Sequence, residues 1–249
     1  MSTDTNSDKK YIDDFIVLGH AVPQEHRDLR KSICMMGYSP TQGLIRLYPV
    51  PINVRPKRWE MLKLPVEKSS SDKRSESWKI QGAKNEFDVL FKKIHHFDKV
   101  KPHNTKNIID LLLSKYQKDC ISSLNDKKES LGIIKPTNIE AYFEKRKDYD
   151  PNIQSTLDSD TLYKTSSNFE FQPRIKYTCS NCHAKHGHDQ QLLERGAYEW
   201  MRKNPTNKEQ LWKNYRIGDP EYEHYFLVGN QARYLNSFMV IGILWRKKR

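Results

Sequence analysis

Phe169-Glu-Phe-Gln-Pro-Arg-Ile-Lys-Tyr-Thr-Cys179, running on through Ser-Asn-Cys182-His183-Ala-Lys-His186-Gly to His188, decides how this chain is read. Its first half alternates. Phe169, Phe171, Ile175, Tyr177 and Cys179 fall on one side of an extended strand, and Glu170, Gln172, Arg174 and Lys176 on the other. Pro173 has no N–H for a ladder, which predicts an edge position or a bulge there. The strand delivers Cys179 into a cluster of soft ligands. Two thiols three residues apart reach one ion from a turn, and nearby imidazoles complete a tetrahedron, which is the sequence form of a zinc site. The expected ligands are Cys179, Cys182, His186 and His188, with His183 in reserve. The His-x-His spacing suits an extended segment. The plain alternative is a pair of reduced structural cysteines beside a histidine-rich turn. Cys-x-x-Cys-His is also the attachment pattern of c-type haem, but that chemistry needs export, and a redox dithiol lacks a βαβ setting.

A catalytic reading needs an open coordination position and a group to handle the attacking water. Asp189 follows His188 directly, so a metal-dependent nuclease centred on His186, His188 and Asp189 is the enzyme alternative. Glu194 and Glu199 lie five apart on the expected following helix and share a face poorly. No Walker loop, dinucleotide glycine fingerprint or G-x-S-x-G elbow occurs. Cys34, inside Ile-Cys-Met, reads as a buried strand residue.

Upstream, Asp14–Gly19, Lys31–Gly37, Gly43–Pro49, Trp59–Val66 and Glu76–Ile80 are short apolar runs separated by turn signals. In the third, Leu44, Arg46 and Tyr48 share one face, while Ile45 and Leu47 share the other. Such spacing predicts a small barrel or sandwich. The period then changes to helical at Phe87, Leu90, Phe91 and Ile94, with Asn85 as N-cap, and again at Ile108, Ile109, Leu112, Leu113 and Tyr116. Residues 145–168 are polar and read as a linker. This gives an N-terminal β domain with a helical extension over 11–150 and a C-terminal β domain with the Cys/His cluster over 165–249. In the latter, Leu192 to Met201 form a helical stripe. Tyr225–Gly229 and Phe238–Trp245 read as strands buried on both faces.

The chain has 249 residues, with 43 Lys plus Arg against 31 Asp plus Glu, a net charge of +12. A pI of 9.4 is one footprint of a polyanionic partner. Thirteen tyrosines, nine phenylalanines and five tryptophans argue for a packed core despite the polarity. The polar N-terminus lacks an apolar signal region, and no stretch reaches the roughly 18 apolar residues of a spanning helix. Four cysteines in a chain this long do not make a disulfide framework. The expectation is a cytoplasmic protein with reduced thiols and no membrane partner.

Basic residues interleave with aromatics at Arg46, Tyr48, Arg55, Lys57, Arg58, Trp59, Arg74 and Lys79, and again at Arg174 and Lys176. Positive charge tracks phosphates and flat side chains stack bases, so these form the candidate nucleic-acid surface, for DNA or RNA. Each tryptophan taken singly reads as core. Lys92-Lys93 and the terminal Arg246-Lys-Lys-Arg249 read as solvated charge, and His95-His96 as a surface pair on a helix end.

Ser32-Ile-Cys-Met-Met-Gly37, Leu44-Ile-Arg-Leu-Tyr-Pro-Val-Pro51, Glu76-Ser-Trp-Lys-Ile80, Ser130 to Pro136 and Phe169 to Cys182 resemble an uncharacterised prokaryotic group of dual OB-domain proteins. The resemblance runs from Phe15 to Trp245. It implies two five-stranded barrel-like domains and a nucleic-acid role in genome-conflict systems, and it carries over no catalytic residue. The combined expectation is an α+β protein of two small OB-like β domains with helical insertions and a zinc-stapled turn. It binds nucleic acid; the alternatives are the nuclease and a zinc-stapled adaptor for a protein partner.

Overall fold

The computed structural model describes residues 9–25, 31–54, 56–149, 165–182 and 184–248, which divide into two units. The first runs through His20 and over Gln24–Thr105; the second comprises Ala21–Pro23 and the chain from Lys106 onward. Among the described residues no helix is long and apolar enough to cross a membrane.

The first unit is built from β1 (Lys9–His20), β2 (Gln24–Glu25), β3 (Lys31–Ser39), β4 (Gly43–Pro51), β5 (Glu60–Glu67) and β6 (Ser77–Ile80). The order β1-β3-β4-β6-β5 closes on itself because β5 also pairs with β1, from Lys9↔Glu67 to Ile16↔Met61. The pairings are antiparallel except β4–β6. This is a closed five-stranded barrel, compatible with an OB-like α+β fold. Its strands are the five apolar runs read from the sequence. Register breaks in β1 and β3 supply the bending that closure requires.

Alternation sends Ile33, Met35, Ile45, Leu47, Leu62 and Leu64 inward onto Phe15. Gly37 is glycine because a Cβ there would stand 2.1 Å from the Phe15 ring. The expected helix at Phe87 is a 3-10 helix, Phe87–Lys93, with Glu86 rather than Asn85 at its cap. It plugs the core with Phe87 and Leu90, but Phe91 is exposed. A seventh strand, β7 (His95–Lys99), pairs with β5 outside the closed circuit.

Helix α1 (Pro102–Tyr116) carries the chain into the second unit and buries Ile109 and Leu112 of the expected stripe. There follow β8 (Gln117–Lys118), α2 (Ile121–Asp126), β9 (Leu131–Ile134), β10 (Pro136–Lys145), β11 (Phe171–Cys179), β12 (His188–Gln191), α3 (Arg195–Lys203), α4 (Gln210–Asn214), β13 (Tyr222–Gln231) and β14 (Tyr234–Lys247). One sheet is β10-β11-β12 and another β14-β13-β9-β8. They are joined twice. Only Lys135 separates β9 from β10, and a parallel bridge links Leu192, just past β12, to Val240 in β14.

Two expectations change here. The polar stretch 145–168, of which 150–164 lie outside the described residues, is not the division between units. β10 and β11 pair antiparallel up to Lys145↔Phe171, so it connects a hairpin within one unit. Composition marks a polar connection without saying what it connects. Pro173 is at neither an edge nor a bulge. β11 is the middle strand of its sheet, and Pro173 pairs with Phe143 while its carbonyl accepts from Leu192.

Candidate metal centre and the basic residues

Cys120, Cys179, Cys182 and His188 bring one ligand atom each to a single point, all within 4.8 Å of one another. Three local reasons place them. Cys179 ends β11 on its inward face, and His188 begins β12 opposite Tyr177, so register puts thiol and imidazole on the same side. Between them the chain turns through Ala184–Gly187, closed by the Gly187 N–H to the Ala184 carbonyl at 2.9 Å. Gly187 stands at φ +68, where a Cβ would lie 2.5 Å from the Tyr177 carbonyl. Cys120 arrives from elsewhere, as the extended residue that caps α2.

His188 Nε2 is 3.3 Å from both the Cys120 and the Cys182 sulfur. Tyr177 walls the site, its ring 5.2 Å from the His188 ring and its hydroxyl donating to Gln190 at 2.8 Å. Cys120 and Cys179 are buried in the apolar cluster of this unit. Burial, then the neighbouring Cys120, pushes the Cys179 thiol well up. Burial also opposes ionisation of Cys120, but hydrogen bonds from Ser122 and its neighbouring cysteines outweigh it and hold that thiol below its usual value. Burial lowers His188, keeping a neutral imidazole with a lone pair to give. Three thiolates this close in an interior cannot coexist without a cation. A bound dication inverts that logic and deprotonates them. The arrangement is a Cys3His set that can bind a metal ion.

The fourth ligand is therefore Cys120 where the sequence reading has His186. His186 lies exposed in the turn before Gly187, whose left-handed backbone breaks the extended path that His-x-His spacing assumed. His183 lies outside the described residues. Cys120 carries no local spacing signal; being the one cysteine left after Cys34, Cys179 and Cys182 were assigned is its only mark in the sequence. Asp189 belongs to the opposite face of β12. It accepts from Tyr142 at 2.8 Å and from Arg174 at 3.0 Å, and so does not face the cluster. Glu194 is the residue before α3 and accepts from the Ile243 N–H.

The basic residues are divided between the two units. In the first unit Arg46 is buried, 4% exposed, and burial works against its charge. Tyr48 is half-buried. Arg58 donates to the Leu18 carbonyl at 2.8 Å, and Trp59, at φ +72, bonds through its backbone to Val17 and Val100. Arg74 forks onto Asp72 at 2.6 and 2.8 Å, and Lys79 pairs with Glu67 at 3.2 Å. Lys57 is exposed, and Arg55 lies outside the described residues. In the second unit Arg174 serves Asp189 and Glu144, and Lys176 reaches Glu140 at 3.8 Å. Strand alternation identified the faces correctly but could not tell a guanidinium aimed at a ligand from one satisfied at home. Arg246, read as solvated tail, bonds Asp110 and Glu223.

A family model described as Domain of unknown function (DUF8758) matches residues 12–119. No curated protein matches the chain. A second family model meets the first at the end of α1, close to the division of the two units. This model, Domain of unknown function (DUF8757), matches residues 116–249, more than half of the chain, and the protein belongs to that family.

Proposed function

We propose that the protein is a cytoplasmic nucleic-acid-binding protein built on two OB-like barrels, with the Cys3His cluster holding a structural zinc ion. The observation that carries the reading is the strand order β1-β3-β4-β6-β5, closed to β1 with β4 and β6 parallel, in a chain of net charge +12. The second unit supports it. Counting 131–145 as one bent first strand, the circuit β10-β11-β12-β14-β13-β9 has the same order. The Leu192↔Val240 parallel bridge stands where β4–β6 stands in the first. This agrees with the dual OB-domain proteins that the sequence resembles, and the genome-conflict role goes with that resemblance.

Barrels of this kind grip oligonucleotides on the outer face of the second and third strands and on the loops after the first and fourth. Here that means β3, β4 and residues 68–76. We place the interface on that loop, with Lys68 and Lys73, together with Tyr48 and exposed Lys57, and we assign Arg46 and Arg74 to the scaffold. Zinc suits the cluster by donor type and size. A tetrahedral ion with bonds of about 2.0–2.3 Å sets its ligands about 3.3–3.8 Å apart; His188 stands 3.3 Å from two of the sulfurs, and the whole set lies within 4.8 Å. Four protein ligands leave no open position, which favours a structural role over hydrolysis.

The test is elemental analysis beside anisotropy titrations of single-stranded oligonucleotides at two salt concentrations. One zinc per chain, lost in Cys120→Ser and kept in His186→Ala, with affinity falling steeply in salt, is the expected result. Zinc without salt-dependent binding would refute the nucleic-acid reading and leave the adaptor.

A further inference from the structure

The second unit holds a cavity of about 230 Å³ that neither the metal cluster nor the barrel circuit uses. Its aromatic lining comes from Phe171, the first residue of β11, from Phe169 just before it, and from Tyr149; Met201 of α3 adds an apolar side. Lys208 and Arg202 supply positive charge at the same cavity. These residues come together because α3 and the 3-10 turn Pro205–Asn207 follow β12 and cross the end of the β10–β11 hairpin, which the bonding of Arg146 N–H to the Glu170 carbonyl keeps shut.

The two cations differ. Arg202 is committed to Glu199, at 3.0 Å. Lys208 forms no ion pair among the described residues. Its ammonium rests over the Phe171 ring at 4.2 Å and the Phe143 ring at 5.8 Å. Glu170 also lines the cavity, but its carboxylate is taken by Lys145 at 3.1 Å. A lysine over aromatic faces is held weakly and is free to turn to a stronger acceptor. The cavity is smaller than the roughly 300–1,000 Å³ of pockets for drug-sized ligands, which suits one planar ring system. Aromatic walls suit the faces of a base, and an uncommitted ammonium at the rim suits the phosphate attached to it.

We propose that this cavity takes a single unstacked nucleotide, its base against Phe169 and Phe171 and its phosphate on Lys208. The inference rests on the nucleic-acid reading above, naming a place on the second unit where one nucleotide of the strand is held.

The experiment titrates the full-length, zinc-loaded chain with adenosine monophosphate, adenosine and ribose 5-phosphate by calorimetry, and with an oligoadenylate by anisotropy. Adenosine monophosphate is expected to bind more tightly than either fragment. Lys208→Ala is expected to weaken it about tenfold, the loss of one charge-assisted hydrogen bond. Phe171→Leu, which keeps apolar volume and removes the ring face, is expected to weaken adenosine monophosphate and adenosine alike. Unchanged zinc content and melting behaviour certify each variant. Oligoadenylate binding without mononucleotide binding, or mononucleotide binding indifferent to both substitutions, overturns the cavity assignment and leaves the nucleic-acid reading standing. Mononucleotide binding sensitive to both substitutions, without oligoadenylate binding, keeps the cavity and overturns the strand reading. Binding of neither overturns both.

Discussion

The two units hold their strands together by different means. In the first, β1 pairs with β5 from Lys9 to Ile16 and the barrel closes by a backbone ladder around a core of Phe15, Ile33, Leu62 and Leu64. In the second, the sheets β10-β11-β12 and β14-β13-β9-β8 are joined through Lys135 and by one parallel bridge, Leu192↔Val240, next to a strand of only four residues, β12. His188, the first residue of that strand, is a ligand in the cluster that also contains Cys120 and Cys179, both part of the apolar core. Where the pairing between sheets is short, a Cys3His set that can bind a metal ion stands beside it. The first unit is therefore expected to depend on packing and the second on its metal.

The sharpest way to break this contrast is Cys120→Ser. It removes one ligand of four and leaves buried thiols without their cation. The expected cost is at least about 4 kcal/mol, confined to the second unit. Hydrogen exchange is the readout, with β12 and the start of α2 losing protection while β3 and β4 keep it. Equal loss in both units would mean that the metal fastens nothing locally. The reciprocal substitution is Leu62→Ala at a fully buried barrel position. Truncation there is expected to cost about 2–5 kcal/mol, seen in the barrel amides, with metal content unchanged.

These substitutions also measure how much was legible beforehand. A strand with a strict period of two, such as β11, and the stripe of α1 could be read directly, since alternation reports which face is buried. The closing pairs could not, because β1–β5 and β9–β13 join residues far apart and leave no local trace. The cluster was half legible. Cys179 and Cys182 are neighbours in sequence and share a turn, whereas Cys120 reaches them only through tertiary packing. His186 looked like a ligand because spacing was read along an extended chain. The left-handed Gly187 removes it from that path.

Gly187 sharpens the comparison at a single residue. Gly187→Ala adds a Cβ 2.5 Å from the Tyr177 carbonyl and forces a side chain into a φ of +68. Gly218, at φ +84, has nothing within 4 Å of the added atom. Alanine at Gly218 is expected to cost about 1 kcal/mol, the conformational penalty alone. At Gly187 it is expected to cost about 2–3 kcal/mol, strain and clash together, and to weaken metal retention against a chelator. Equal costs would show that the turn can shift and that the ligand geometry does not depend on it.

The smallest effect concerns a pair of neighbouring strands in the second unit that the metal does not touch. Glu223 on β13 accepts from Tyr225 at 2.8 Å and from Arg246 on β14 at 3.0 Å. The Tyr225 hydrogen bond first, and then Arg246, hold its carboxyl at about 2, against an ordinary value of 4.5. A carboxylate with a depressed folded-state value stabilises the protein above the unfolded value, and that contribution drains away as pH falls from 4.5 towards 2. The full shift would correspond to about 3 kcal/mol, but the side chain is partly open to solvent and screening reduces this to about 1 kcal/mol. Glu223→Gln is therefore expected to cost about 1 kcal/mol at pH 7 and nothing near pH 2. Denaturant unfolding of both proteins across that range measures the difference. A gap that persists undiminished at pH 2 would mean that the residue acts by packing rather than by charge. Strand pairing in this unit would then need neither the ion pair nor the metal beyond β12.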